Sequence, residues 1–139
     1  MIRVVLDTNV IISGLLSADS LPAAILDLAM QGKITVAFSH PILTELDQVL
    51  RRPRFGFEPR KIGSFLVLFK SRSKLVSPKK SLNICQNDFS DNRFLECAET
   101  AKAEFLITGN KSHFPLRYKN IIVVTPREFW EAYLLRMAL

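Results

Sequence analysis

Ile2-Arg3-Val4-Val5-Leu6-Asp7-Thr8-Asn9 opens the chain with a β-branched and aliphatic run that stops at a carboxylate. A strand with one wet face alternates apolar and polar residues. This run does not, so it reads as a strand covered on both faces in the middle of a sheet. The same character returns at Ile34 to Phe38, Phe105 to Ile107 and Ile121 to Val124, with Leu75-Val76 as a short edge candidate. Helical patterns separate these runs. They span Val10 to Leu16, Pro22 to about Gln31 with Gly32 placed to end it, Pro41 to about Arg52, and Pro59 to about Arg72. A fifth is expected from a Ser90 cap to about Lys102, and a sixth from the start signature Thr125-Pro126-Arg127-Glu128 to about Arg136. Apolar strands alternating with helices predict an α/β fold of three layers, α/β/α, with a central parallel sheet of about five short strands. Functional residues then belong beyond the carboxyl ends of the strands, where the strand order reverses.

At 139 residues the chain has the length of one domain, 1–139, with no repeat and no linker to divide it. Its 48% apolar and 23% charged content suits a packed core rather than disorder. Cys85 and Cys97 lack zinc-ligand spacing, and His40 and His113 do not complete a site, so two reduced thiols are expected. No stretch approaches the ~20 apolar residues of a membrane span, and the longest central block is Phe65 to Phe69. Asp7 and Asn9 interrupt the N-terminal run before a secretory core forms. A cytoplasmic protein without membrane contact is expected.

The net charge of +6 is unevenly placed. Residues 51–80 hold ten Lys or Arg against one acid, Glu58, while the remainder is net acidic. A basic segment beside an acidic remainder suits a protein that grips a polyanion, and equally describes a solvated helix with charged flanks.

Asp7 ends the first strand, where it either faces the crevice or caps the next helix. In the Pro41–Arg52 helix, Ile42, Leu43, Leu46, Val49 and Leu50 form the apolar arc. Glu45 and Asp47 flank it on opposite sides, and periodicity alone does not choose between them. Asp91 lies three and four residues before Phe94 and Leu95, on the stripe its helix buries, where an acid must be neutralised, hydrogen-bonded, metal-bound or used as a cap. Asp88 sits in the loop before it. Thr108-Gly109-Asn110-Lys111 leaves the Phe105–Ile107 strand at the same sheet edge as Asp7. Nucleotide-binding glycine motifs are absent, and an aspartyl phosphatase would want Asp where Asn9 stands.

In this order the elements resemble the PIN domain, and within it the small VapC-like toxins. The resemblance runs through Val4-Val5-Leu6-Asp7-Thr8-Asn9-Val10, Ile42-Leu43-Thr44-Glu45-Leu46, Asp88-Phe89-Ser90-Asp91-Asn92-Arg93-Phe94-Leu95, Leu106-Ile107-Thr108-Gly109-Asn110-Lys111 and Val124-Thr125-Pro126-Arg127-Glu128-Phe129. It implies a PIN-like fold and a ribonuclease that uses Mg2+ or Mn2+. Asp7, Glu45 and Asp91 match the family's metal-holding, catalytic acids, and this match selects Glu45 over Asp47. Asn9, Thr108, Asn110 and Asp88 are auxiliary polar positions, and Arg51, Arg52, Arg54, Arg60 and Lys61 are expected to meet RNA. A cognate antitoxin and a homodimer are expected by the same analogy. Many family members carry Asp where this chain has Asn110. The loss of one negative charge predicts weaker metal binding and leaves open a catalytically weakened module that binds RNA or a partner.

Overall fold

Val4 and Val5 point to opposite faces of their strand, and both are fully buried, as are Leu106 and Ile107. Both faces of the sheet are therefore covered, which is what the unbroken apolar runs predict. The computed structural model describes residues 1–85 and 89–139. Its strands are β1 (Arg3–Leu6), β2 (Thr35–Phe38), β3 (Lys74–Leu75), β4 (Phe105–Ile107), β5 (Arg117–Tyr118) and β6 (Ile121–Val124). The helices are α1 (Thr8–Leu16), α2 (Leu21–Met30), α3 (His40–Leu50), α4 (Pro59–Arg72), α5 (Asn92–Ala101) and α6 (Pro126–Ala138).

The strand order is β3-β2-β1-β4-β6-β5. Five strands run parallel, and β5 pairs antiparallel with β6 through Arg117 opposite Ile122 and Tyr118 opposite Ile121. The chain steps outward from β1 to β2 and β3, then returns to lay β4 and β6 on the other side of β1. The order therefore reverses between β1 and β4, and a crevice is expected beyond their carboxyl ends. Helix α5 packs on β1, β2 and β4, while α6 packs on β4, β6 and α2.

Local chemistry accounts for the helix boundaries. Thr125 accepts from the Glu128 N–H at 3.1 Å while the Glu128 carboxylate accepts from the Thr125 N–H at 2.8 Å, a reciprocal cap on α6. Gly32, at φ 74°, ends α2 in the left-handed conformation that favours glycine. Among the boundaries that differ from expectation are the start of α5 and the edge strand. Ser90 is not the cap of α5. It lies in a short 3-10 turn, Phe89–Asp91, and Asp91 takes the cap position. The buried Asn92 side chain draws the preceding segment onto the helix start, accepting from the N–H groups of Ile84 at 2.9 Å and Cys85 at 2.7 Å. The edge strand is β3 at Lys74–Leu75, although the Val76 N–H continues the pairing to the Phe38 carbonyl at 2.8 Å.

Cys85 and Cys97 are buried and not joined by a disulfide. Burial pushes the Cys97 thiol up to about 12, far from nucleophilic. No single described helix is long and apolar enough to cross a membrane.

Candidate active site

Asp7 stands where β1 ends, and its N–H donates to the Ile107 carbonyl of β4 at 2.9 Å, so the two strand ends meet beneath it. Its two carboxylate oxygens have different duties. Oδ1 accepts a long 3.4 Å bond from the Asn9 N–H at the start of α1, and Oδ2 accepts from the Thr108 hydroxyl at 2.8 Å. The capping and crevice readings of Asp7 are thus both realised. Only 8% of Asp7 is exposed. Burial raises its pKa; the bonds from Thr108 and Asn9 pull it down, the charge of Glu45 pushes it up, and His113 lowers it.

Asp7, Thr8, Asn9, Glu45, Val49, Arg52, Ser90, Asp91, Asn110 and His113 line one cleft of about 180 Å³. Glu45 reaches it from α3, where its Oε2 accepts from the Thr8 hydroxyl at 2.5 Å. Asp47 faces solvent and pairs with Arg51 at 2.8 Å. The two acids that periodicity left equivalent are thereby separated. Asp91 enters from the start of α5, buried, with Oδ2 at 3.0 Å from His113 Nδ1. Thr108, fully buried under the cleft, receives the Asn110 N–H at 3.0 Å while donating to Asp7. Asp88 lies outside the described residues.

Of the five basic candidates, Arg52 alone lines this cleft. Arg51 is held by Asp47, Arg54 lies over the Phe55 ring at 4.8 Å, and Lys61 borders an apolar groove with Leu15, Leu50, Phe57, Ile62 and Phe65. Arg60 is exposed on α4.

Thr8, Val49, Ser90 and His113 line the cleft without a counterpart among the sequence candidates, and two of them, Thr8 and His113, hold its acids. Thr8 is visible in the sequence as a polar neighbour of Asp7, but its grip on Glu45 spans 37 positions. His113 weighed only as a zinc ligand in the sequence. The 3-10 turn Lys111–His113 brings it back over Asp91, 22 positions away, and no local pattern signals that return.

Among the described residues, no three His, Cys, Asp or Glu side chains are already gathered as a metal-binding group. Glu45 is engaged by Thr8 and Asp91 by His113. The donor set nevertheless fits the cation that the resemblance implies. It offers carboxylate, amide and hydroxyl oxygens without a thiol, the ligands of Mg2+ and Mn2+. The charge of Glu45 already disfavours ionised Asp7, a repulsion that a shared cation would relieve.

Comparison with known proteins agrees with this architecture. The chain is 36% identical over 145 residues to an uncharacterised protein of Methanocaldococcus jannaschii, MJ1680, covering 95% of this chain and 92% of that one. Its fold is similar to a crystal structure of VapBC2 from Rickettsia felis bound to a promoter DNA fragment. There the TM-score is 0.59 at 19% identity, over 89% of this chain and 98% of that chain. The family described as PIN domain matches residues 3–112, most of the sequence. The chain belongs to the PIN domain family.

Proposed function

We propose that this chain is a ribonuclease that hydrolyses RNA phosphodiester bonds with Mg2+ or Mn2+, working as one domain over residues 1–139. PIN domains are generally metal-dependent nucleases, which supports the reaction class. The observation that carries the proposal is the meeting of Asp7, Glu45 and Asp91 in one cleft at the reversal of strand order. The likeness to VapBC2 bears on the fold alone. The toxin role, an antitoxin protein as partner, a homodimer and a cytoplasmic place are carried over by analogy with the VapC-like toxins that the motifs resemble.

In this reading Asp7, Glu45 and Asp91 hold the cation. When bound, it supplies charge neutralisation at the phosphate and activation of the attacking water. The chain's own groups do the rest. Thr108 and Thr8 orient Asp7 and Glu45 through their hydroxyls. Arg52 meets a phosphate of the RNA at the rim, and buried Val49 gives the cleft an apolar wall that limits water.

Asp91→Asn keeps an oxygen to accept from His113 and removes one unit of charge. Metal-dependent cleavage of RNA is expected to fall at least ~100-fold, as loss of a single key electrostatic group does elsewhere, while the melting temperature stays within a degree or two. Cleavage that persists in rigorously purified variant would overturn the assignment. A second reading, an RNA- or partner-binding module with a lapsed site, is favoured by Asn110 in place of an acid. Calorimetric titration with Mn2+ separates the two, because a lapsed site gives no saturable heat.

A further inference from the structure

We propose that His113 is a positioning residue for Asp91, and that Asn110 serves to set the tautomer of its ring. The inference deepens the metal-site reading above and rests on it. An ionised carboxylate only accepts hydrogen bonds, so the ring nitrogen 3.0 Å from Asp91 Oδ2, Nδ1, must carry a hydrogen. A neutral ring then presents a lone pair at Nε2. The group 2.9 Å from Nε2 is the Asn110 amide nitrogen, a donor. On its other side the amide accepts, through Oδ1, from the Ser112 hydroxyl at 2.7 Å. The bonds therefore run one way, from Ser112 to Asn110 to His113 to Asp91.

Position 110 also acts on the opposite acid. Its backbone N–H donates to the Thr108 hydroxyl, which donates to Asp7 Oδ2. One residue thus orients two cleft carboxylates, one through its main chain and one through its side chain. Aspartate could serve the first branch but not the second, since its oxygens would face the Nε2 lone pair with no hydrogen between them. Asn110 is the residue whose amide N–H fits a lone pair at Nε2. A histidine that fixes a ligating carboxylate is the mirror of the carboxylate that fixes a ligating histidine, and such partners commonly govern metal affinity.

Two measurements test the relay. Nitrogen-15 NMR of the metal-free protein at pH 8 should find His113 as the Nδ1–H tautomer; an Nε2–H ring overturns the proposal. Calorimetry with Mn2+ should then show His113→Ala binding ~10-fold more weakly than wild type. His113→Asn, whose amide N–H stands close to the lost Nδ1–H, should recover most of that affinity. Thermal melts establish that both variants fold. Wild-type affinity in His113→Ala, or no recovery in His113→Asn, overturns the positioning role. A wild-type protein that takes up no Mn2+ would overturn the metal-site reading instead, and the ring tautomer then decides the relay alone.

Discussion

Asp7 is asked to stay ionised where burial favours its neutral form. Its folded pKa is raised above 3.8, by desolvation before any other cause and by the charge of Glu45 as well. The folded protein therefore holds this proton to higher pH than the unfolded chain does. The stability contributed by that proton is fully present below pH 3.8 and is lost as pH rises through the folded value. At neutral pH the metal-free fold carries the cost of a buried charge. Asp7→Asn should accordingly raise the melting temperature of the metal-free protein at pH 7, with the advantage shrinking as pH falls toward 4. Its amide keeps an oxygen for one donor and can donate to the Thr108 hydroxyl in place of accepting from it. A variant less stable than wild type at pH 7 would show that the bonds from Thr108 and Asn9 outweigh desolvation. The sequence marked Asp7 because a strand end and a helix cap coincide there. Periodicity leaves Glu45 and Asp47 equivalent because a helix of period 3.6 puts both at the edges of its apolar arc. The family resemblance chooses Glu45, and in the structure the two differ by the neighbour each one meets, Thr8 or Arg51. His113 is out of reach for a stronger reason: its partner is fixed by how the end of β4 meets the start of α5 in space.

At the scale of elements, α1 is held in place by a close approach to α2. A Cβ built at Gly14 would lie 2.7 Å from Leu26 Cδ1, 3.0 Å from the Pro22 carbonyl carbon and 3.1 Å from the Ala23 nitrogen. The leucine tip can turn away, but the backbone of Pro22 and Ala23 has to move. Alanine would gain about 1 kcal/mol of helix propensity, against an overpacking cost of about 1–3 kcal/mol. Gly14→Ala should therefore destabilise the fold by about 1 kcal/mol in urea unfolding, and because α1 begins at Thr8, the hold on Glu45 should loosen with it. A more stable variant would mean the two helices are not so closely packed. The same scale shows which elements a sequence can announce. β1, β4 and β6 declare themselves because burial on both faces demands unbroken apolar residues. β5 does not, since Arg117-Tyr118 is a two-residue edge pairing with an exposed arginine, held by β6 and not by its own pattern.

For the whole molecule, charge is arranged differently from the simple picture of a basic tract beside an acidic site. Residues 51–80 carry most of the excess positive charge, yet Arg52 alone of the five basic candidates lines the cleft. Arg51 spends its charge on Asp47, and Arg54 lies over an aromatic ring. Under the proposed ribonuclease reading two roles follow, a phosphate contact at the site for Arg52 and long-range attraction along α4 for Arg60 and Lys61. Salt separates them. Affinity for a single strand falls with salt at a logarithmic slope of ~0.7 per neutralised phosphate, so contacts count directly in the slope. Binding is measured in an Asp91→Asn background to prevent cleavage. There Arg52→Ala should weaken affinity for every RNA sequence alike and lower the slope by ~0.7, one phosphate's share. Replacing Arg60 and Lys61 together should lower it again, because RNA long enough to leave the cleft would cross α4. If the slope responds to Arg52 but is indifferent to Arg60 and Lys61, the basic tract is a solvated helix flank and the RNA leaves the cleft in another direction.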